Sequence, residues 1–348
     1  MTPHFWRGKR VLVTGHTGFK GAWLSELLLG LDAEVNGFAL EPATTPSLFE
    51  LLRLRDRMNS RIGDVRDRAA LDVALREAAP SVVFHLAAQA LVRQGYADPV
   101  ATFETNVMGT VHVLEALRNV PSVEAVVVVT SDKCYQNREW VWGYRESDAL
   151  GGDEPYSASK GAAEIVTHAY RASFLHERVG VASARAGNVI GGGDWSHDRL
   201  IPDLVQAVLS GRPPELRSPH AIRPWQHVLE PLGGYLRLAE HLVAARERFA
   251  GAWNFGPGVG DALTVETLAR AFLAELGSHV DLRPQPGEHP RETSLLRVDS
   301  SKANQVLGWL PRLDPAEAIA RTARWYRAHR EGADMIAFTQ SQIQEYFS

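Results

Sequence analysis

At 348 residues, 45% of them hydrophobic and with a formal net charge of −4, the chain is long and apolar enough for a substantial core, which excludes a disordered polypeptide. A pI near 6.4 without a basic excess argues against nucleic acid as a partner. One cysteine, Cys134, excludes an internal disulfide and a multi-cysteine metal site; MTPHFWRGKR has no signal-peptide h-region and no stretch reaches the length of a membrane span, so a soluble cytoplasmic protein is expected, with no membrane partner and no metal.

The first legible unit is VLVTGHTGFKG, residues 11–21. A β-branched run breaking into Gly15, Gly18 and Gly21 predicts a buried strand that turns directly into a helix whose first N–H groups face a pyrophosphate. Gly15 is expected to take unusual backbone angles, Gly18 to let a phosphate approach, and Gly21 to let helix and strand pack closely. A helix over 22–31 and a strand over 33–40 complete a βαβ unit. That second strand ends in Phe38-Ala39-Leu40 with Glu41 one or two positions late for a ribose-binding acid, and no Lys or Arg follows before Arg53. NAD is therefore expected over NADP, loosely held. Lys20 either reaches a phosphate or is a solvated first-turn side chain.

A third strand over 61–65, ending with Asp64 placed for an adenine edge, a helix over 68–78, and a fourth strand over 81–88 follow. The fourth ends in Leu86, Ala87 and Ala88, small enough at its end for a cofactor backbone to lie close, and His85 within it reads as a core histidine. A helix over 100–117 carrying Asn106 leads to a strand over 123–129. This alternation predicts a parallel sheet covered on both faces, with ligand beyond the carboxyl ends of the strands. There the fifth strand delivers Thr130, Ser131, Asp132, Lys133 and Cys134. After a polar, glycine-rich loop over 137–154, Pro155 starts a helix with Tyr156 and Lys160 on one face, where an ammonium favours the phenolate. A sixth strand is read over 181–185, and beyond Asn188 regular alternation is lost. Arg223 in RPWQHV reads either as a guanidinium over a nucleotide or as an ordinary surface charge; an amphipathic helix is read over 232–246, and LGW at 307–309 as core.

TGHTGFKG, HLAAQ, the Ser131, Tyr156 and Lys160 set, RAGNVIGGGDW and AWNFGP together resemble the extended short-chain dehydrogenase/reductase family over nearly the whole chain. Asp132-Lys133 resembles the pair found in its nucleotide-sugar 4,6-dehydratases, in the form seen in those acting on CDP-glucose. The resemblance implies an α/β fold: a Rossmann-type doubly wound parallel sheet over 1–186 with a returning segment near 226–255, and a smaller mixed α/β substrate domain over 187–348. It implies NAD held by Gly15, Thr17, Gly18, Phe19, Lys20, Gly21, Asp64, Val65, Leu86, Ala87, Ala88, Tyr156 and Lys160. A nucleotide hexose such as CDP-glucose would be held by Gln89, Asn188, Arg199, Arg223 and Arg291, and two copies would pair through helices 100–117 and 156–175.

The implied reaction serves deoxysugar biosynthesis. Tyr156 takes the O4 proton while Ser131 holds O4, and Lys160 orients the ribose and lowers the Tyr156 pKa. Asp132 is the acid for O6. Lys133 is the base at C5, made neutral by burial beside Lys160, or else a cation stabilising the enolate. The alternatives are a 4,6-dehydratase acting on another nucleotide sugar, and a 4-epimerase, which shares Ser131, Tyr156 and Lys160.

Overall fold

A computed structural model of the chain describes residues 2–258, 261–278, 280–285 and 295–348. Its centre is a seven-stranded sheet of β1 (Arg10–Thr14), β2 (Glu34–Ala39), β3 (Asn59–Ile62), β4 (Val82–His85), β5 (Ala125–Val129), β6 (Gly180–Arg185) and β7 (Gly251–Asn254). The spatial order is β7-β6-β5-β4-β1-β2-β3, and every neighbouring pair is parallel. The order reverses between β1 and β4, the switch point at which an open α/β sheet forms its ligand crevice.

Both faces of the sheet are covered, and the sequence shows it at every second position. Val11, Val13, Val82, Phe84, Val127 and Ala182 enter one apolar cluster, while Leu12, Val83, Val126, Val128 and Val181 enter another on the opposite face. The first cluster runs on into Trp195, Phe272 and Trp325 of the C-terminal half. Helices α1 (Phe19–Leu29), α2 (Arg68–Ala78), α3 (Pro155–Tyr170) and α4 (Leu229–Ala244) supply much of the cover. Between β4 and β5 the expected single helix is three consecutive pieces, Pro99–Phe103, a π-helical turn Glu104–Met108 and Gly109–Leu117.

The expected strands are found with altered bounds: the second, fourth and fifth are shorter than read, the sixth starts one residue earlier, and the third runs over Asn59–Ile62 in place of 61–65. Leu40, Asp64 and Val65, and Leu86 to Ala88 lie beyond the ladders, because the backbone turns outward there to line the crevice. Past β6, two-residue bridges replace long strands, among them Val189–Ile190 with Gln226–His227. Leu307 and Trp309 are buried, as expected of a packing motif, with Gly308 in the left-handed region at φ 60°. No helix among the described residues is long and apolar enough to cross a membrane.

His85 is the satisfied core histidine its apolar setting implies: its ring nitrogens meet Thr14 Oγ1 at 2.7 Å and Thr110 Oγ1 at 3.2 Å. Burial pushes its pKa down to about 3, that of His227 to about 3 and that of His16 to about 4. These values lie below the unfolded value near 6.5, so between the two the unfolded chain binds protons that the fold refuses. Stability is therefore complete above pH 6.5 and falls as pH falls toward 4, by up to about 1.4 kcal/mol per pH unit for each imidazole. Urea unfolding at pH 7 and pH 5 should show this loss, and His85→Gln should flatten it; a pH-independent midpoint across that interval would contradict the burial argument.

Candidate active site

A cleft of about 710 Å³ opens along the carboxyl ends of β1, β2, β4, β5 and β6. Its floor is the glycine turn. Gly15 sits at φ 76°, and a Cβ there would lie 2.7 Å from Ala87 N; a Cβ on Gly21 would lie 2.0 Å from Gly15 O. Both positions are closed to any side chain by backbone. Gly18 differs, since a Cβ would meet only Gly15 O, at 3.4 Å, and the residue is exposed to the cleft. Gly18 caps α1 without any side-chain hydrogen bond, so the first amides of an eleven-residue helix face the opening.

At the outer end of the cleft, Thr17 Oγ1 donates to Leu40 O at 2.8 Å and Asp64 lies in a chelate with Arg66, Nη2 to Oδ2 at 2.6 Å. That guanidinium holds the Asp64 carboxyl below its ordinary range. Glu41 is likewise engaged, by Arg55 at 2.8 Å. Arg55 and Arg66 escaped sequence reading because their partners are set by loop geometry. His16 was also missed: it is buried, bonds Ser60 Oγ at 2.7 Å through Nε2, and packs so tightly that Gly37 has no room for a Cβ.

The catalytic candidates converge at the other end. Ser131 Oγ donates to Asp132 Oδ1 at 3.0 Å and accepts from Lys133 N at 3.2 Å, capping the short helical turn Asp132–Cys134. Asn188, at φ 50°, donates through Nδ2 to Asp132 Oδ2 at 3.0 Å. The carboxylate lies against Gly187, where a Cβ would sit 2.0 Å from it. Pro155 stands in the first turn of α3, as expected, and the capping Glu154 accepts from Tyr156 N at 2.8 Å and Ser157 N at 2.9 Å. Tyr156 and Lys160 thereby face the cleft beside Ser131, with Lys160 Nζ 3.4 Å from Val129 O.

The expected lowering of the Tyr156 pKa is not what the free protein shows. Burial pushes the phenol up to about 12 against the opposing pull of the Ser131 hydroxyl and the Arg199 guanidinium. Lys160 is itself pushed down by burial, to about 8, which weakens it as a source of positive charge. Lys133 lines the cleft and is partly exposed.

Of the expected substrate contacts, Arg199 lies in the cleft, paired with Asp194 at 3.0 Å and close enough to act electrostatically on Tyr156. Arg223 is buried and lines the cleft, its Nη1 donating to Ile222 O at 3.0 Å. Gln89 reaches the cleft wall, but its amide is committed to Thr102 Oγ1 at 2.9 Å and Leu91 N at 2.5 Å. Arg291 lies outside the described residues. Asn106, in the π-helical turn, braces this wall by donating to Gln89 O and Ser159 Oγ. No group of three His, Cys, Asp or Glu that could hold a metal occurs among the described residues.

Directly behind the site, Glu164 accepts from Thr130, from Ser183 Oγ at 2.7 Å and from Arg185 Nη2 at 2.7 Å. Arg185 Nη1 continues to Tyr135 OH, and Tyr135 to Asn254, each at 2.7 Å. This network joins the ends of β5, β6 and β7 to α3. Cys134 lies beside it, fully buried, and burial raises its thiol pKa, as suits a structural cysteine.

The sequence profile of the GDP-mannose 4,6 dehydratase family matches residues 12–322. The chain belongs to that family, within the extended short-chain dehydrogenases/reductases. It is 50% identical to the CDP-glucose 4,6-dehydratase of Salmonella typhimurium, over 99% of this chain and 98% of that protein. It is 30% identical to the UDP-glucose 4-epimerase of Mycolicibacterium smegmatis, over 91% and 98%. Among solved structures, a double mutant of the dTDP-glucose 4,6-dehydratase of Streptomyces venezuelae, with NAD bound, superposes with a TM-score of 0.78 at 27% identity, covering 94% of this chain and 99% of that one.

Arg185→Met would leave Glu164 buried without its cation, and such an uncompensated charge costs about 3–5 kcal/mol. Urea unfolding at pH 7 should register a loss of that size; a change below about 1 kcal/mol, the worth of a surface pair, would contradict the network's role.

Proposed function

We propose that the chain dehydrates CDP-glucose to CDP-4-dehydro-6-deoxyglucose, with NAD as a cofactor that is regenerated within each turnover. The observation that carries this reading is the placement of Asp132 and Lys133 directly after Ser131, in one cleft with Tyr156 and Lys160. An epimerase needs only the last three. The 50% identity to the Salmonella enzyme, extending over both chains almost entirely, supports cytidine as the base.

The residues present fit NAD. The uncapped amides of α1 and the unfilled space over Gly18 would receive the pyrophosphate, Leu86 to Ala88 would flank it, and Tyr156 and Lys160 would face the nicotinamide ribose. When bound, NAD supplies a hydride acceptor at C4 and a donor at C6. Glu41 and Asp64 are both tied to arginines, which supports loose retention of the adenosine half.

In this assignment Tyr156 removes the O4 proton and Ser131 holds O4. The ketone acidifies C5–H, Lys133 removes that proton, and Asp132 protonates the departing O6. Lys133 acts as base only when neutral. Arg199 and Arg223 hold the diphosphate side of the substrate, and Asn188 fixes the Asp132 carboxylate. Residues 1–186 with 226–255 carry the cofactor, and the rest of the chain carries the substrate.

The protein works in this reading as a cytoplasmic homodimer. Val100, Phe103 and Met108 on one helical run, with Ile165 and Phe174 on and after α3, are exposed apolar side chains that a second copy would cover.

Incubation with NAD and a panel of nucleotide glucoses, read by product mass, tests the proposal. Loss of one water from CDP-glucose, with no net change at the nicotinamide absorbance band, is expected. An isomer of unchanged mass, or turnover confined to another nucleotide, would overturn it.

A further inference from the structure

The RPWQHV segment contributes more than Arg223. Gln226 is buried, and its amide nitrogen donates to two backbone carbonyls, Gly187 O at 3.2 Å and Phe255 O at 2.9 Å. Those carbonyls stand just past the ends of β6 and β7, neighbours in the sheet, so one side chain ties the two strand exits together. The main chain adds a second grip: Gln226 N donates to Asn188 O at 3.2 Å, beside the bridge that pairs Val189–Ile190 with Gln226–His227. The amide oxygen of Gln226 is buried and accepts no hydrogen bond, which costs stability. Its nitrogen already faces two carbonyls, so turning the amide over would not relieve this. Gln226 is thus held as a double donor.

Gly187 and Asn188 are also the residues that confine the Asp132 carboxylate. A Cβ on Gly187 would lie 2.0 Å from that group, so only bare main chain fits against it, and Asn188 Nδ2 donates to Oδ2 at 3.0 Å. Asn188 does so from the left-handed region, at φ 50°, a conformation that persists where the surroundings fix it. Gln226 fixes it from both sides, through the carbonyls of Gly187 and Asn188. From Gln226 to the carboxylate every link is a hydrogen bond of 3.0–3.2 Å or a direct packing contact.

Resting on the dehydratase reading, we propose that Gln226 is a positioning residue for the elimination: it holds Gly187 and Asn188 so that the Asp132 carboxyl meets the departing C6 oxygen. It touches no reacting atom. In the step it serves, Lys133 takes H5 and the electron pair of that bond passes through the C4 enolate to form C5=C6. The C6–O6 bond breaks with its pair on oxygen, and O6 leaves as water with the proton of Asp132. Oxidation at C4, the work of Tyr156 and Ser131, does not draw on that proton.

The test compares CDP-glucose with its 6-deoxy-6-fluoro analogue, whose fluoride departs without being protonated. Gln226→Leu should slow loss of water by up to about a hundredfold, the scale of a displaced catalytic group, and leave loss of fluoride near its wild-type rate. Oxidised substrate would then wait for elimination, so absorbance at the nicotinamide band, flat in the wild type, should rise and persist. Gln226→Asn, one methylene shorter and able to reach at most one of the two carbonyls, should show the same selective defect in smaller measure, and it decides the matter if Gln226→Leu does not fold. Asn188→Gly keeps the left-handed backbone and removes the donor to Asp132. Combined with Gln226→Leu, it should slow water loss by clearly less than the product of the two single effects, since both act on one carboxyl. Equal slowing of water and fluoride loss, multiplicative effects in the double variant, or wild-type water loss in Gln226→Leu would overturn the assignment. A wild-type protein that releases neither water nor fluoride would instead remove the dehydratase reading on which it rests.

Discussion

The site depends on one buried ion pair. Glu164 and Arg185 meet at 2.7 Å with side chains only 3% and 4% exposed, and further hydrogen bonds to both partners offset the desolvation, with Arg185 Nε alone left unpaired. Thr130 and Ser183 satisfy Glu164, while Tyr135 OH and Glu146 O accept from the other branch of the guanidinium, and Tyr135 donates onward to Asn254. Because Glu164 lies one helical turn past Lys160, this pair fixes α3 against the ends of β5 and β6. Tyr156 and Lys160 then face the cleft together with Ser131 and Asp132.

The glycine turn imposes the complementary constraint from the other side of the switch point. Gly15 and Gly21 are closed by backbone atoms, which brings α1 onto β1 and β4, whereas Gly18 is left open toward the cleft. One end of the cleft therefore suits a polyanion. The other carries both signs of charge, with Asp132, Asp194, Arg199 and Lys160 lining the same cleft.

What the sequence made legible was local. Strand to turn to helix, the Tyr156 and Lys160 spacing, and the residues following β5 are each contained within about a dozen consecutive positions, and the structure brings the three stretches to one cleft. The supporting partners were hidden because they are remote: Tyr135 and Asn254 are 119 residues apart, and Asn188 reaches Asp132 across 56. Strand ends were overread where apolar residues such as Leu86 continue past the ladder to line the cleft. The Tyr156 pKa was misjudged in direction because helical spacing reports proximity to Lys160 but not the burial that both groups share.

The central claim is that one cleft performs oxidation, elimination and reduction on the same hexose without releasing it. CDP-glucose carrying deuterium at C4 tests this directly, with unlabelled NAD in large excess and the product examined by NMR. The account predicts that the deuterium appears at C6 of the same molecule, undiluted. Deuterium retained at C4, or lost to the free cofactor pool, would contradict it.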